Sequence, residues 1–240
     1  MSDEKHAIIF GASGGIGRVV SERLHNKGWT LTLVGRNEAT LQDIIPGAKI
    51  VVANGVKSEE VEQVFLSSPN ASAVVNCIGS ILLKPAHLTS EADFRSVFET
   101  NLLSAFNCVR SAGKFFTEGS SVVLVSSCAA RIGLANHEAI AAAKAGIEGL
   151  VRSAAATYAA KRIRFNAVAP GLTKTPLSQK ITANAQAAAF STALHPLGRL
   201  GEPDDIAAAI EFLVEKDSSW ITGQILSVDG GLSSIKNRVE

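Results

Sequence analysis

Three cysteines, one methionine, two tryptophans and a single tyrosine in 240 residues leave this chain few of the side chains on which specialised chemistry often rests. Cys77, Cys108 and Cys128 are scattered and odd in number, which excludes a disulfide framework and the paired spacing of a zinc site. A reducing, cytoplasmic compartment is the expectation. Charge of one sign is also lacking: 23 basic residues against 22 acidic ones give no field to draw nucleic acid or an anionic membrane. No apolar run approaches the roughly 18 residues of a membrane span. The polar opening Met1-Ser-Asp-Glu-Lys-His6 leads straight into a short apolar run, so no signal peptide is expected. No linker-like shift in composition divides the chain, and residues 1–240 are expected to form one domain acting on a small-molecule substrate, with no nucleic-acid or membrane partner.

What is present is a large apolar fraction, 46% against 19% charged residues, ample for a buried core. It is distributed in a regular alternation. Strands are predicted at Ala7–Phe10, Thr30–Val34, Lys49–Val52, Ala73–Cys77, Ser121–Ser126, Arg164–Val168 and Ile225–Val228, several apolar on successive residues as in parallel strands buried on both faces. Helical spacing is predicted at Ile16–Lys27, Ser58–Ser67, Glu91–Phe116, Ala139–Ala160 and Pro203–Glu215, and the Ala-rich stretch Ala183–Ala193 reads as helix. Strand, helix, strand, helix argues an α/β Rossmann-type, doubly wound parallel sheet of about seven strands with right-handed crossovers.

The first chemical motif is Gly11-Ala-Ser13-Gly-Gly15-Ile16-Gly17, between the first strand and the first helix. Gly11 permits the tight turn, Gly15 lets backbone approach a pyrophosphate, and Gly17 lets the helix pack close to the sheet. The free N–H groups and positive end of the helix suit phosphates. At the end of the second strand stands Arg36, where an acid would bond a ribose 2′-hydroxyl and an arginine can meet a 2′-phosphate. NADP(H) is therefore expected over NAD(H). Ser13 is uncharged and adds no second basic contact.

On these residues and those that follow, the chain resembles the short-chain dehydrogenase/reductase superfamily over essentially its whole length. Phe10 followed by the glycine motif is similar to the family's T-G-x-x-x-G-x-G, with phenylalanine for threonine, and Asn76-Cys-Ile-Gly79 is similar to its N-N-A-G. Asn101 in Glu-Thr-Asn-Leu matches the asparagine of the family's active-site tetrad, Ser127 its serine and Lys144 its lysine. Pro170-Gly171-Leu-Thr173 resembles the loop that holds the nicotinamide amide, and 172–200 the family's variable substrate lid. The runs Arg199–Ala207 and Ile221–Gly231 are close to its carboxy-terminal signatures. The resemblance implies an oxidoreductase with Asn101, Ser127 and Lys144 at the reaction centre. It implies a cofactor held by Gly11, Ser13, Gly15, Ile16, Gly17, Arg36, Asn76, Gly79, Lys144, Pro170, Gly171 and Thr173. A homo-oligomer, dimer or tetramer, through the long helices around 91–116 and 139–160 is also implied.

Two positions depart from the pattern. Asn54 stands where the family usually has an aspartate against the adenine. Ile140, 13 residues after Ser127 and four before Lys144, stands where the family has its tyrosine. Tyrosine and lysine at i and i+4 share a helix face, and the phenol supplies the proton. Isoleucine has none to give, and general acid–base catalysis is typically worth about 10²–10⁴ in rate. The one tyrosine, Tyr158, falls 14 residues beyond Lys144, roughly 20 Å along a helix, and cannot serve. His137 is the candidate substitute acid, about one turn before Ile140, with Glu138 able to orient it. The enoyl reductase branch of the family sets its tyrosine six residues from the lysine, close to His137's seven. The plainer reading is that Asn136 caps the helix and Glu138 complements its dipole. His195, in the segment before Pro196, either reaches the cleft from the lid or, as the plainer reading, takes a solvated surface role. Leu177, Ile181, Phe190 and Leu194 either wall an apolar pocket or pack a helix pair onto the core.

Three readings follow. One is an NADP-dependent oxidoreductase of a carbonyl/alcohol pair with a non-standard proton donor. The second is a catalytically silent NADP-binding relative serving as a structural, sensor or partner subunit. The third is lyase or isomerase chemistry in the same cleft. No metal is expected.

Overall fold

The computed structural model describes residues 5–236. Its centre is a seven-stranded, all-parallel sheet in the order β3-β2-β1-β4-β5-β6-β7. The strands are β1 (His6–Phe10), β2 (Thr30–Gly35), β3 (Lys49–Val52), β4 (Ala73–Asn76), β5 (Ser121–Val125), β6 (Arg164–Pro170) and β7 (Ile225–Val228). All seven predicted strands are present, because runs such as Ile8-Ile9-Phe10 and Val74-Val75 must bury side chains on both faces of the sheet. Ile8, Phe10 and Val74 enter one core with Phe65, Val122, Ile147 and Phe165. Ala7, Ile9 and Val75 enter the other with Val20, Leu24, Ile206 and Ile210. Successive residues point to opposite faces, so one strand feeds both cores.

Helices α1 (Gly15–Asn26) and α8 (Pro203–Val214) cover the second core. Covering the first are α2 (Ser58–Leu66), α4 (Ser104–Phe115) and α5 (Glu138–Tyr158), with α3 (Glu91–Phe98) leading into α4. The segment between β6 and α8 carries two short helices, α6 (Gln179–Thr182) and α7 (Ala185–Leu194). The chain crosses from β3, at one edge, back past β1 to β4. Sheets of this type open a crevice at the carboxyl ends of the strands flanking that reversal. Among the described residues no helix is long and apolar enough to cross a membrane.

The predicted single helix over 91–116 is interrupted. Glu99–Leu103 form a π-helical turn between α3 and α4, with Asn101 fully buried at its centre. A π turn leaves a backbone carbonyl without its usual helical donor. The Asn101 amide fills that role, with Nδ2 donating to Val97 O at 2.9 Å. Periodicity is blind to such a turn, since the apolar stripe runs on through it.

Candidate active site

The crevice is a cleft of about 630 Å³ at the carboxyl ends of β4, β5 and β6. Its floor is built from strand-end loops. Gly11, in the left-handed region at φ +71°, turns the chain after β1, and a side chain there would meet the Cys77 and Ile78 backbone at 3.0 Å. A Cβ on Gly17 would lie 2.2 Å from Gly11 O, so this glycine seats α1 against the turn. Gly15 has a different neighbour from the one its motif suggests: its open face lies against Thr175, whose Cγ2 would stand 2.8 Å from an added Cβ. Ile16 lines the cleft, while Ser13 and Arg36 are exposed beside it. The Gly11 and Ala12 N–H groups both donate to Val34 O, which ties the glycine turn to the end of β2. No acidic partner holds Arg36 among the described residues. These features fit a dinucleotide: backbone donors at a helix amino end, faces stripped of Cβ, and a free guanidinium two residues past Val34.

The loop after β4 carries Cys77, Ile78 and Gly79 into the cleft. Asn76 itself is buried and holds the loop, accepting from Ile78 N–H at 3.0 Å and donating to Ser104 Oγ at 3.3 Å. Gly79 sits where an added Cβ would be 3.2 Å from Asn101 Oδ1 and 3.5 Å from Lys144 Nζ. Asn101 in turn grips Ser80, accepting from its N–H and donating to its Oγ. Asn54 uses its Oδ1 to close a turn on Val56 N–H, and Asn107 secures the same loop by donating to Gly55 O and Val56 O.

Ser127, Ile140, Lys144 and His137 all line the cleft. Ser127 Oγ accepts from Ala129 N–H at 3.2 Å, a role that leaves its O–H as a donor. Lys144 is 6% exposed, donates to Val125 O at 2.8 Å, and is pushed down to about 8 by burial in this dry environment. One turn further on, Glu148 is gripped by Arg131 and Ser126, whose hydroxyl also reaches Lys144 O. The Arg131 guanidinium continues to Ser227 Oγ and Ile225 O, which locks α5 to β7. The thiols of Cys77 and Cys128, also in the cleft, are pushed up by burial to about 12 and about 11, so both stay protonated and unreactive as nucleophiles.

Ile140 is 5% exposed and joins Val97, Ala139 and Ala143, against which Leu82 and Phe98 pack. Tyr158 packs half-buried against the first core, stacked on Phe165 at 5.3 Å and filling the space over Gly113. His137 Nδ1 is 2.7 Å from Ala135 O. A carbonyl only accepts, so Nδ1 carries the proton and Nε2 is the nitrogen left to exchange one. Glu138 does not orient this ring; its carboxylate faces Ala86 N–H at 3.4 Å. Nor does Asn136 cap α5. It adopts φ +64°, and His137 occupies the cap position without a side-chain hydrogen bond.

Two other expectations change. His195 is not solvated but 4% exposed: Leu172 N–H donates to its Nε2 at 3.2 Å, and Nδ1 meets Ser191 O at 2.6 Å. One nitrogen accepts and the other faces an acceptor, which places the ring N–H on Nδ1. The ring pins the carboxyl end of α7 to the loop Pro170-Gly171-Leu172, and a Cβ on Gly171 would stand 2.6 Å from Nε2. Both partners are backbone atoms, which no sequence pattern announces. Thr173 is buried and bonds Gly171 O at 3.1 Å, whereas Thr175, which sequence reasoning passed over, lies over the glycine turn. Leu177, Ile181, Phe190 and Leu194 all face the cleft as its apolar wall. Among the described residues no group of acidic, histidine or cysteine side chains could hold a metal ion.

Comparison with known proteins agrees with this construction. The family described as Enoyl-(Acyl carrier protein) reductase matches residues 11–233. Carbonyl reductase family member 4 of Danio rerio is 37% identical over 94% of this chain and 97% of its own length. A short-chain type dehydrogenase/reductase from Mycobacterium ulcerans superposes with a TM-score of 0.91 at 26% identity, covering 97% of this chain and 91% of its own. The structure of ElxO with NADP bound gives 0.89 at 26% identity, covering 97% and 100%. With the glycine turn, the doubly wound sheet and the strand-end cleft in place, the chain belongs to the short-chain dehydrogenase/reductase superfamily of oxidoreductases.

Proposed function

We propose that the protein is an NADP(H)-dependent oxidoreductase of a carbonyl/alcohol pair in which His137, rather than a tyrosine, handles the proton. The observation that carries this reading is the convergence of Ser127, Lys144, Gly79 and His137 on one cleft beside the glycine turn. Gly11, Ser13 and Ile16 border the pyrophosphate at the amino end of α1, with Gly17 seating that helix and Gly15 lying beneath Thr175, and Arg36 meets the 2′-phosphate. Gly79, Pro170, Gly171 and Thr173 border the nicotinamide half, with Asn76 holding its loop. Bound there, the cofactor supplies or accepts a hydride at the nicotinamide ring. The Ser127 O–H donates to the substrate oxygen, and Lys144 lends charge and hydrogen bonding to the ribose and the developing oxyanion. Asn101 fixes the Ser80 loop at the depth of Lys144. In reduction the imidazolium of His137, protonated on both nitrogens, gives its Nε2 proton and is left as the Nδ1-protonated neutral ring; in oxidation that neutral ring takes a proton at Nε2, while Ala135 O holds Nδ1–H throughout.

A second reading has one observation in its favour. Ile140 is not a hole left by a lost hydroxyl but a packed member of the cluster with Val97, Leu82 and Phe98. A silent NADP-binding relative would keep that packing and the cofactor site alone. The two readings part in one experiment. Saturable NADPH binding, followed by cofactor fluorescence and tighter than NADH, is expected of both, and its absence would overturn both. Turnover of a ketone and aldehyde panel by the unmodified chain supports the oxidoreductase; turnover that arises only in Ile140→Tyr supports the silent relative. The half-exposed Leu103, at the end of the π-helical turn, and Phe106 on α4 support assembly into a dimer or tetramer through α4 and α5.

A further inference from the structure

The outer part of the cleft carries an unusual deficit of charge. Leu177, Ile181, Phe190 and Leu194 of the segment 172–200 face Leu83 and Leu134 across it. Leu177 is 54% exposed and Phe190 68%, so these side chains point at solvent rather than into either core. Their exposure fits a wall that awaits an apolar body in the cleft, not helix packing. Only three lining side chains are basic, Lys144, His137 and His195, and none is acidic. Lys144 lies at the floor, bonded to Val125 O, and His137 serves the substrate oxygen on the proposed reading, so neither is left to pair with the far end of the substrate body. His195 turns both ring nitrogens to backbone, Nε2 to Leu172 N–H and Nδ1 to Ser191 O, and so has no N–H left to donate to a ligand. Of the cations nearest in sequence, Arg131 is paired with Glu148 and the edge of β7, Lys84 with Asp93 and Lys174 with Glu202, while Lys180, exposed on α6 between Leu177 and Ile181, does not line the cleft.

From this census we infer that the substrate is a neutral ketone or aldehyde, or the matching secondary or primary alcohol, whose body is an alicyclic ring or an aliphatic chain. Its carbonyl oxygen lies at Ser127 and its hydrocarbon body under Leu177, Ile181 and Phe190. Carboxylates and phosphates of equal size are excluded because the wall offers no cation for the charge they would desolvate. The choice of body rests on the oxidoreductase reading of the site, but the charge discrimination belongs to the wall itself.

A matched pair tests it: 4-tert-butylcyclohexanone against 4-oxocyclohexanecarboxylate. Binding to the full chain is measured twice, by the change in bound NADPH fluorescence and, without cofactor, by ligand-observed NMR. The neutral ketone is expected to bind at least about 30-fold more tightly than the carboxylate. In Leu177→Lys the gap is expected to shrink at least about tenfold, by a gain for the carboxylate. Equal binding of the two probes, tighter binding of the carboxylate, or a gap unmoved in Leu177→Lys overturns the inference. If NADPH fails to bind while the apo chain still prefers the ketone, the oxidoreductase reading fails and the apolar wall stands. If NADPH binds and the carboxylate is preferred, the converse holds.

Discussion

The floor and the outer wall of the same cleft are made on opposite principles. On the floor, polar groups are buried and satisfied: Asn101, Lys144, Glu148 and Ser126 each have a partner, and among the described residues no buried side-chain nitrogen or oxygen lacks one. On the wall, apolar groups are exposed and unsatisfied, with Phe190 and Leu177 turned outward. A network in low dielectric is rigid because each loss leaves a buried orphan. An exposed apolar wall stays adaptable because little of the protein's own stability depends on it. On the proposed function, the difference sets Ser127 and Lys144 on the over-determined floor, His137 at the rim, and discrimination on the permissive wall.

The comparison breaks most visibly at the rim. His137→Ala is expected to lower kcat for a good carbonyl substrate by about 10²–10⁴ while leaving NADPH affinity nearly unchanged; steady-state kinetics beside a fluorescence titration check this, and an unchanged kcat would remove His137 from the mechanism. Next in size is the floor's backbone. Gly17→Ala forces a Cβ toward Gly11 O and is expected to cost about 3 kcal/mol, seen as a melting temperature lower by roughly 6–12 °C. Arg36→Ala leaves the fold intact and is expected to weaken NADPH about tenfold or more without affecting NADH; parallel titrations with the two cofactors measure the ratio.

Lys144 gives the floor a pH signature. Its ionisation is lowered from 10.5 to about 8 by burial, so between those values the unfolded chain binds a proton that the native chain has released. Stability therefore rises with pH across that window, and below about 8 both states are protonated and the native state bears the full cost of a buried charge. Urea denaturation at stepped pH should show the rise in the unmodified chain and its loss in Lys144→Met. The smallest effect belongs to the wall: Phe190→Ala is expected to change stability by less than about 0.5 kcal/mol, while weakening an apolar ketone several-fold in the fluorescence titration. A large stability loss there would show that the wall is core after all and collapse the distinction.

Much of the floor is legible in the chain's order of residues. The glycine turn, Asn101, Ser127, Ile140 and Lys144 stand at intervals that a strand–helix alternation carries to one edge of the sheet. The π turn is not legible, because its apolar spacing is that of an ordinary helix and only the Asn101–Val97 bond betrays it. His195 reads as a surface histidine because its partners, Leu172 N–H and Ser191 O, belong to every residue's backbone. The cap on α5 misreads for a related reason: Asn136 has the right side chain for a cap but takes a left-handed turn, with its carbonyl accepting from Lys84 N–H.

By itself the sequence determined the seven parallel strands, the glycine cradle and the absence of a phenol at position 140, since burial on two faces, freedom from Cβ and side-chain chemistry are properties of residues and their spacing. Only the tertiary structure decided which nitrogen of His137 is tied to a carbonyl and which is left open, that both nitrogens of His195 are engaged by backbone, and that the apolar residues of 172–200 form a wall rather than a core. Those outcomes depend on which backbone carbonyls and amides fold against each side chain, and the protonation of a ring or the solvent exposure of a leucine is set by such neighbours.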